Sequence, residues 1–500
     1  MVKKEIRIIG AGIAGLSTGC YLQMNGYKTQ IFEMGQSPGG LCTSWKREGY
    51  TFDGCIHWLV GSSPSVNFYK IWQELEAIQD KKIVDFDEFA RIERKNREVF
   101  IVYADLDKLE NEMIEIAPED KQVIEEFTEA IRGFAKFELP IEKAPELYGP
   151  IDGMKILFKM YPFLKTVKKW KKITIKDYTQ RFKNTSLREI FSLILGIDER
   201  FTMIGLIMTL SWMYLKSAGY PIGGSLEFSK SIERRYINLG GKVNYNSRVS
   251  KIIVKDNKAV GIKLTKGEIY DTDIVISAAD GHHTIFEMLD GKYVNKDILD
   301  DYNNLELFPA VTQISLGISR NFDGVSHSIS FPLDKPLIID DKNKVERIMV
   351  RIYNFDPTLA AEGKTSAIVY VSSNYEYWVN LRENDREKYL KEKERIAKEI
   401  IGILDKRFGD ISSKVEVYDV ATPATYIRYT NNWKGSFEGW LLTPKVFGRR
   451  MKKTLPELRN FYMVGQWVEP GGGLPAVALS GRNLAQIICK KDKKKFHIVV

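Results

Sequence analysis

The chain opens on an apolar run, "EIRIIG", that breaks at a glycine. In "IAGLSTGCYLQMNG" apolar residues then recur at helical spacing and stop at Gly26, and "KTQIFE" returns to a strand pattern ending at Glu33. This order predicts a βαβ unit: buried strand, tight turn, helix, second strand. In the middle of the chain, "YPIGGSLEFSKSIERRYINLGGKV" reads as a turn and an amphipathic helix that stops at Gly240 and Gly241. "SRVSKIIVKDNKAVGIKLTKGEIYDTDIVISAAD" follows as a β-meander with turns at Asp256-Asn257 and Lys266-Gly267, then a strand over 273–277. Near the end, "NFYMVGQWVEPGGGLPAVALSGRNLAQIICK" is again strand, glycine turn and helix, with the helix expected from about Pro475.

The remaining blocks follow another rhythm. Residues 66–215 read as helix-rich, and 286–445 carry the strand patterns "AVTQISLGI", "RIMVRIYNF" and "SAIVYVSS". Together they predict an α+β substrate domain, an antiparallel sheet with helices over it. "NDREKYLKEKERIAKEIIGILDKRF" is an amphipathic surface helix. The expected fold class is therefore α/β, with two discontinuous domains. Residues 1–65, 216–285 and 446–500 would form a Rossmann-type nucleotide domain; 66–215 and 286–445 would form the substrate domain. No internal repeat is visible, and the one low-complexity piece is the tail "KKDKKK".

With 500 residues, 44% hydrophobic and 28% charged, the composition is that of a folded protein with a large core. The net charge of +9 admits an anionic partner surface or simply a lysine-rich background. No recognised nucleic-acid module is present, so nucleic-acid binding is not expected. Cys20, Cys42, Cys55 and Cys489 form no CxxC pair and read as reduced thiols, and no cluster has metal-ligand spacing. With an opening strand and no apolar leader, no secretory signal is expected. The longest uncharged apolar run, "FTMIGLIMTLSWMYL", is shorter than the ~20 residues of a spanning helix. A cytoplasmic protein is the reading. Residues 154–176, "MKILFKMYPFLKTVKKWKKITIK", carry eight lysines and no acid, interleaved with Phe158, Tyr161, Phe163 and Trp170. They suit either an amphipathic face on the cytoplasmic side of an anionic membrane or a helical cover with its lysines in water.

The chemistry-bearing motif is Gly10, Gly12 and Gly15 between the first strand and helix. Gly10 permits the turn, Gly12 lets a pyrophosphate approach the backbone, and Gly15 allows close helix–strand packing. Glu33 stands where a carboxylate reaches ribose hydroxyls. In nicotinamide dehydrogenases the chain usually runs on from here into another helix. Here Gly39 and Gly40 make a second turn soon after Glu33, as in a large group of flavoproteins, which points to FAD. Gly471, Gly472 and Gly473 would aim the last helix's N-terminus at the flavin pyrimidine, favouring its reduced, negatively charged form. Val249 is placed for main-chain contacts to adenine. Gly465, Leu474, Pro475, Ala476 and Ala14 complete the expected cofactor contacts. His57 lies where the two domains join and suits either the flavin pocket or a structural role. With no second GxGxxG, a dedicated nicotinamide domain is not expected.

"GAGIAGL", "FEMGQSPGG", "GYTFDGCIHWL", "YPIGGSLEFSKSIERR", "IVISAAD", "FDPTLAAEGKTSAIVYVSS", "TPATYIRYTNNWKGSFEGW" and "MVGQWVEPGGGLPAVALSGRNLA" span nearly the whole chain. In this order they resemble the phytoene desaturase-like family of FAD oxidoreductases, which includes carotenoid desaturases, carotenoid isomerases and retinol saturases. The resemblance implies an amine-oxidase-like FAD-binding fold and an enzyme acting on C–C single or double bonds of a hydrophobic polyene or isoprenoid lipid. An amine-oxidase-type flavoenzyme and a non-catalytic FAD-bound lipid carrier are the alternatives. The "GCIHW" piece is closer to saturase-type members and makes His57 a catalytic candidate. Glu469-Pro470 stands where several desaturases have His-Pro, so Glu469 is the second candidate, in a departure from the pattern.

Overall fold

The computed structural model describes residues 3–449 and 451–499. Its centre is a five-stranded parallel sheet in the order Lys242–Asn244, Lys28–Phe32, Glu5–Ile9, Ile274–Ser277 and Phe461–Met463. Side-chain alternation explains its two covers. Ile6, Ile8, Ile31, Ile274 and Ile276 face the helices Ile13–Met24, Gly224–Asn238 and Gly473–Lys491. Ile9, Phe32, Val275, Phe461 and Met463 face the opposite way, onto the meander Val249–Lys255, Lys258–Leu264, Ile269–Asp271. Every strand of this sheet falls within 1–65, 216–285 or 446–500. The last helix begins at Gly473, two residues before the expected Pro475.

A second sheet has seven strands: Val415–Ala421, Val311–Ile318, Thr365–Ser372, Lys344–Ile352, Ser328–Ile338, Glu88–Glu93 and Val99–Tyr103. It is antiparallel except where Ser328–Ile338 runs parallel to Glu88–Glu93. One face, including Ile314, Leu316, Val350 and Val369, packs on the helix Arg386–Phe408 through Ile396, Ile400 and Leu404. The hairpin Glu88–Tyr103 lies in the block read as helix-rich. Its charged turn, with Arg97 at φ 67°, hid a strand pair that tertiary packing completes. The rest of that block is helical as expected, a cluster that includes Leu106–Ile116, Lys121–Phe134, Pro150–Trp170 and Met203–Tyr214. Among the described residues no helix is long and apolar enough to cross a membrane. The 201–215 run is instead a buried helix, Met203–Tyr214, of this cluster.

A buried polar knot ties the last helix to the rest. Arg482 donates to Glu74 at 2.8 Å and to the Ile141 carbonyl at 2.8 Å, and the Tyr21 hydroxyl donates to Glu74 at 2.6 Å.

Candidate functional site

The helices Ile13–Met24 and Gly473–Lys491 both start without a side-chain cap and without an acid in the first turn. Their free N–H groups and positive dipole ends therefore remain available to an anion. Both starts open on one cavity of about 780 Å³. Gly10, Gly12, Glu33, Gly39, Gly40, Val249, Gly465, Gly473, Leu474, Pro475 and Ala476 all line it. Ala14 and Gly15 do not: they stand behind the wall, and a Cβ built on Gly465 would come within 3.2 Å of the Ala14 methyl.

The glycines differ in what a side chain would meet. A Cβ at Gly15 would sit 2.0 Å from the Gly10 carbonyl oxygen, so close packing excludes it. Gly39, at φ +107°, would place one 2.1 Å from the Cys42 carbonyl oxygen. Gly12 has an ordinary φ of −66°, and its Cβ would meet nothing nearer than the Gly39 carbonyl at 3.9 Å. The space beside Gly12 belongs to the cavity. Buried Glu33 accepts hydrogen bonds from the N–H groups of Ala11 and Gly35, both at 2.7 Å, while burial pushes its carboxyl upward. Asn483 Oδ1 and Trp467 Nε1 are buried in cavity-lining residues without a partner among the described residues. Open backbone, two uncapped helix starts and unmet polar atoms fit a dinucleotide.

The far wall is side chain. The helix Met203–Tyr214 presents Gly205, Met208, Thr209 and Trp212, one face at helical spacing. The seven-stranded sheet contributes Met349, Arg351 and Tyr370, while alternate residues Val350, Val369 and Val371 face its covering helix. Trp58, Phe68, Phe201 and Phe308 complete an apolar lining.

Three titratable groups in this cavity differ sharply. His57 lines it with Nε2 buried and unpartnered; burial, then the Arg351 charge, hold its imidazole well below the usual range, hence neutral. Glu469 also lines it, but its carboxylate is bound by Lys453 Nζ at 2.6 Å, a lysine shared with Glu146 at 2.7 Å. Glu438 has neither ion pair nor hydrogen bond among the described residues, and burial pushes its carboxyl up to about 7. It abuts the start of the last helix: a Cβ on Gly472 would lie 2.7 Å from the Glu438 Cβ and 3.3 Å from its Oε2. Sequence reading passed over Glu438 and Arg351. The one linear hint for Glu438 is an acid set within the apolar, glycine-bearing run "GSFEGW".

Residues 13–489 match the family model described as flavin containing amine oxidoreductase. Prolycopene isomerase 2 of an Oncidium hybrid cultivar is 25% identical, over 95% of this chain and 82% of the relative. The 4,4'-diapophytoene desaturase (4,4'-diapolycopene-forming) of Methylomonas sp is 24% identical, over 99% of this chain and 96% of the relative. The crystal structure of an oxidoreductase from Methanosarcina mazei shares the fold, with a TM-score of 0.63 at 17% identity, over 96% of this chain and 99% of that one.

Proposed function

The chain belongs to the flavin containing amine oxidoreductase family and is an FAD-dependent oxidoreductase; we propose that it desaturates, saturates or isomerises carbon–carbon bonds of a hydrophobic polyene or isoprenoid lipid. The observation that carries this reading is the single cavity, a glycine-built cradle on one side continuous with apolar walls on the other. The relatives named for prolycopene and diapophytoene support the same substrate class. Within the reading, Gly10, Gly12, Glu33, Gly39, Gly40, Val249, Gly465 and the helix start from Gly473 to Ala476 would hold FAD, with Ala14 and Gly15 packing behind them. FAD, when bound, supplies the two-electron chemistry. Phe201, Met208, Trp212 and Phe308 would keep water from the reacting bond and hold the chain in place. Glu438, unpaired and with a carboxyl near neutrality, is the group suited to take or return the proton that accompanies each electron pair. Neutral His57 would line the reacting end. Glu469, bound to Lys453, would hold the glycine turn that follows it rather than move protons. A cationic amine would meet Arg351, which has no ion pair among the described residues, and this disfavours an amine substrate.

Anaerobic mixing of holoprotein with a polyene panel, read by flavin absorbance and product mass, tests the proposal. Bleaching by a polyene, reoxidation of the reduced protein by one, or a new isomer is expected. Bleaching by primary amines with no change from any polyene would replace it with an amine oxidase.

The helix Pro150–Trp170 bears on how such a lipid arrives. Phe163 and Trp170 pack inward, against Phe137 at 5.1 Å and Tyr178 at 5.2 Å between ring centroids. Its opposite side leaves Ile151, Met154, Leu157, Phe158 and Tyr161 in solvent, with Phe158 77% and Tyr161 73% exposed. Packing thus explains one apolar face and leaves the other uncovered. We propose that this face, flanked by lysines, rests in an anionic membrane surface on the cytoplasmic side. Cosedimentation with phosphatidylglycerol vesicles, weakened by Phe158→Ser with Tyr161→Ser, is the expected result.

A further inference from the structure

A pure hydrocarbon substrate leaves one feature of the cavity unexplained. Arg351 projects from the strand Lys344–Ile352 into the cavity, deep inside the protein. Among the described residues its guanidinium has no ion pair and no hydrogen bond; the contact it does make is with the ring of Trp58, 5.8 Å from the centroid. The titratable groups that face it are Tyr353, Tyr370, His57 and His327, and none is an anion near neutral pH. Four polar atoms of its neighbours are buried and likewise without a partner among the described residues: His57 Nε2, Tyr353 OH, Tyr370 OH and Ser328 Oγ. Ser328 pairs with Arg351 across the sheet, and the Tyr370 and His57 rings lie 5.3 Å apart. The unmet groups therefore gather around Arg351, and of their residues His57 and Tyr370 line the cavity with it while Tyr353 and Ser328 stand behind.

A buried cation without a partner is costly, and so are buried hydroxyls without one. Water in the cavity would leave the charge unbalanced. We infer that this cluster is a subsite for an anionic end group, a carboxylate or a phosphate monoester, on the lipid substrate. The guanidinium offers a planar fork to two oxygens of such a group, and Tyr370, which lines the cavity with it, can donate to the same oxygens. Holding one end of the lipid would set which bond along its chain lies at the reacting position. The inference rests on the lipid reading above and narrows it from a hydrocarbon to an amphiphile.

Quenching of tryptophan fluorescence in the holoprotein by farnesoic acid, farnesyl monophosphate and uncharged methyl farnesoate tests it, with inorganic phosphate as a fourth probe. Wild-type protein should bind the acid or the monophosphate at least about tenfold tighter than the ester, the scale of a charge-assisted bidentate pair. Arg351→Met should bring that ratio near unity with flavin content and ester affinity retained, and Arg351→Lys should restore part of it. The wild-type comparison of acid with ester needs no variant. Equal binding of acid, monophosphate and ester would overturn the subsite and leave the lipid reading standing. Failure of all three lipids to bind would overturn both. Inorganic phosphate binding as tightly as the monophosphate would show a free-anion site and overturn the end-group assignment, as would loss of flavin from Arg351→Met with the acid preference intact.

Discussion

Backbone forms one wall of the cavity and side chains form the other. On the nucleotide side, Gly10, Gly12, Gly39 and Gly40 present peptide groups, beside the uncapped starts of the helices at Ile13 and Gly473. On the lipid side, Trp58, Met208, Trp212, Met349 and Tyr370 present bulk. A peptide wall recognises charge by fixed N–H groups and tolerates no added atom where the ligand lies. A side-chain wall sets shape, and cores of that kind accept volume changes at modest cost. Substitutions on the two walls should therefore fail in different ways.

The largest effect should come from Gly12→Val. Its backbone angle admits a side chain and no protein atom blocks the first carbon, so the variant should fold yet be colourless. Absorbance near the flavin maximum, with circular dichroism as the folding control, checks both halves. Gly15→Ala should instead lose soluble protein, because its Cβ collides with the Gly10 carbonyl oxygen. If Gly12→Val keeps full colour, the distinction between the walls fails.

Next comes the knot that joins the two ends of the chain. Arg482→Leu leaves Glu74 buried without its cation, and breaking such a pair costs about 3–5 kcal/mol. Urea unfolding should show that loss, together with weaker flavin retention, since Arg482 is on the helix whose start lines the cavity.

A smaller and more selective effect is expected at Trp212→Leu. Flavin content should stay at the wild-type level, while kcat/KM for a polyene falls by roughly tenfold through lost positioning. Equal loss of flavin would show the walls to be one cooperative unit.

The subtlest test is Glu438→Gln. Burial raises this carboxyl from its usual range to about 7, so the folded protein holds a proton that the unfolded chain has released. The stability this contributes is fully present below the unfolded pKa and is lost as pH rises through about 7. The wild type should therefore lose midpoint stability between pH 5 and pH 8 more steeply than the variant. The pH–rate profile of the variant should also lose an inflection near neutrality.

How legible each wall was in the sequence follows from the same contrast. The phosphate cradle is local: Gly10, Gly12 and Gly15 lie within one strand–turn–helix, and their spacing reports what the backbone there must do. The position of Glu33 at a strand end was equally readable, though its two backbone N–H partners were not. Glu469 was visible as a motif position, but its ion pair with Lys453 and Glu146 joins residues distant in the chain. Arg351 and Glu438 carried almost no linear signal, because an arginine in an alternating strand or an acid near a glycine is ordinary until the partners prove absent. The hairpin Glu88–Tyr103 was missed for a related reason, since its pairing with Ser328–Ile338 is supplied from the other half of the chain.

By itself the sequence determined the parallel nucleotide domain, its glycine turns and the cofactor class. Short-range steric and hydrogen-bonding demands act on neighbouring residues and so leave a pattern in the chain. Tertiary structure alone decided which side chains face the cavity, which charges there are paired and which apolar helix face is left uncovered. Burial and partnership are properties of the space between distant segments, and that space exists only once they have packed.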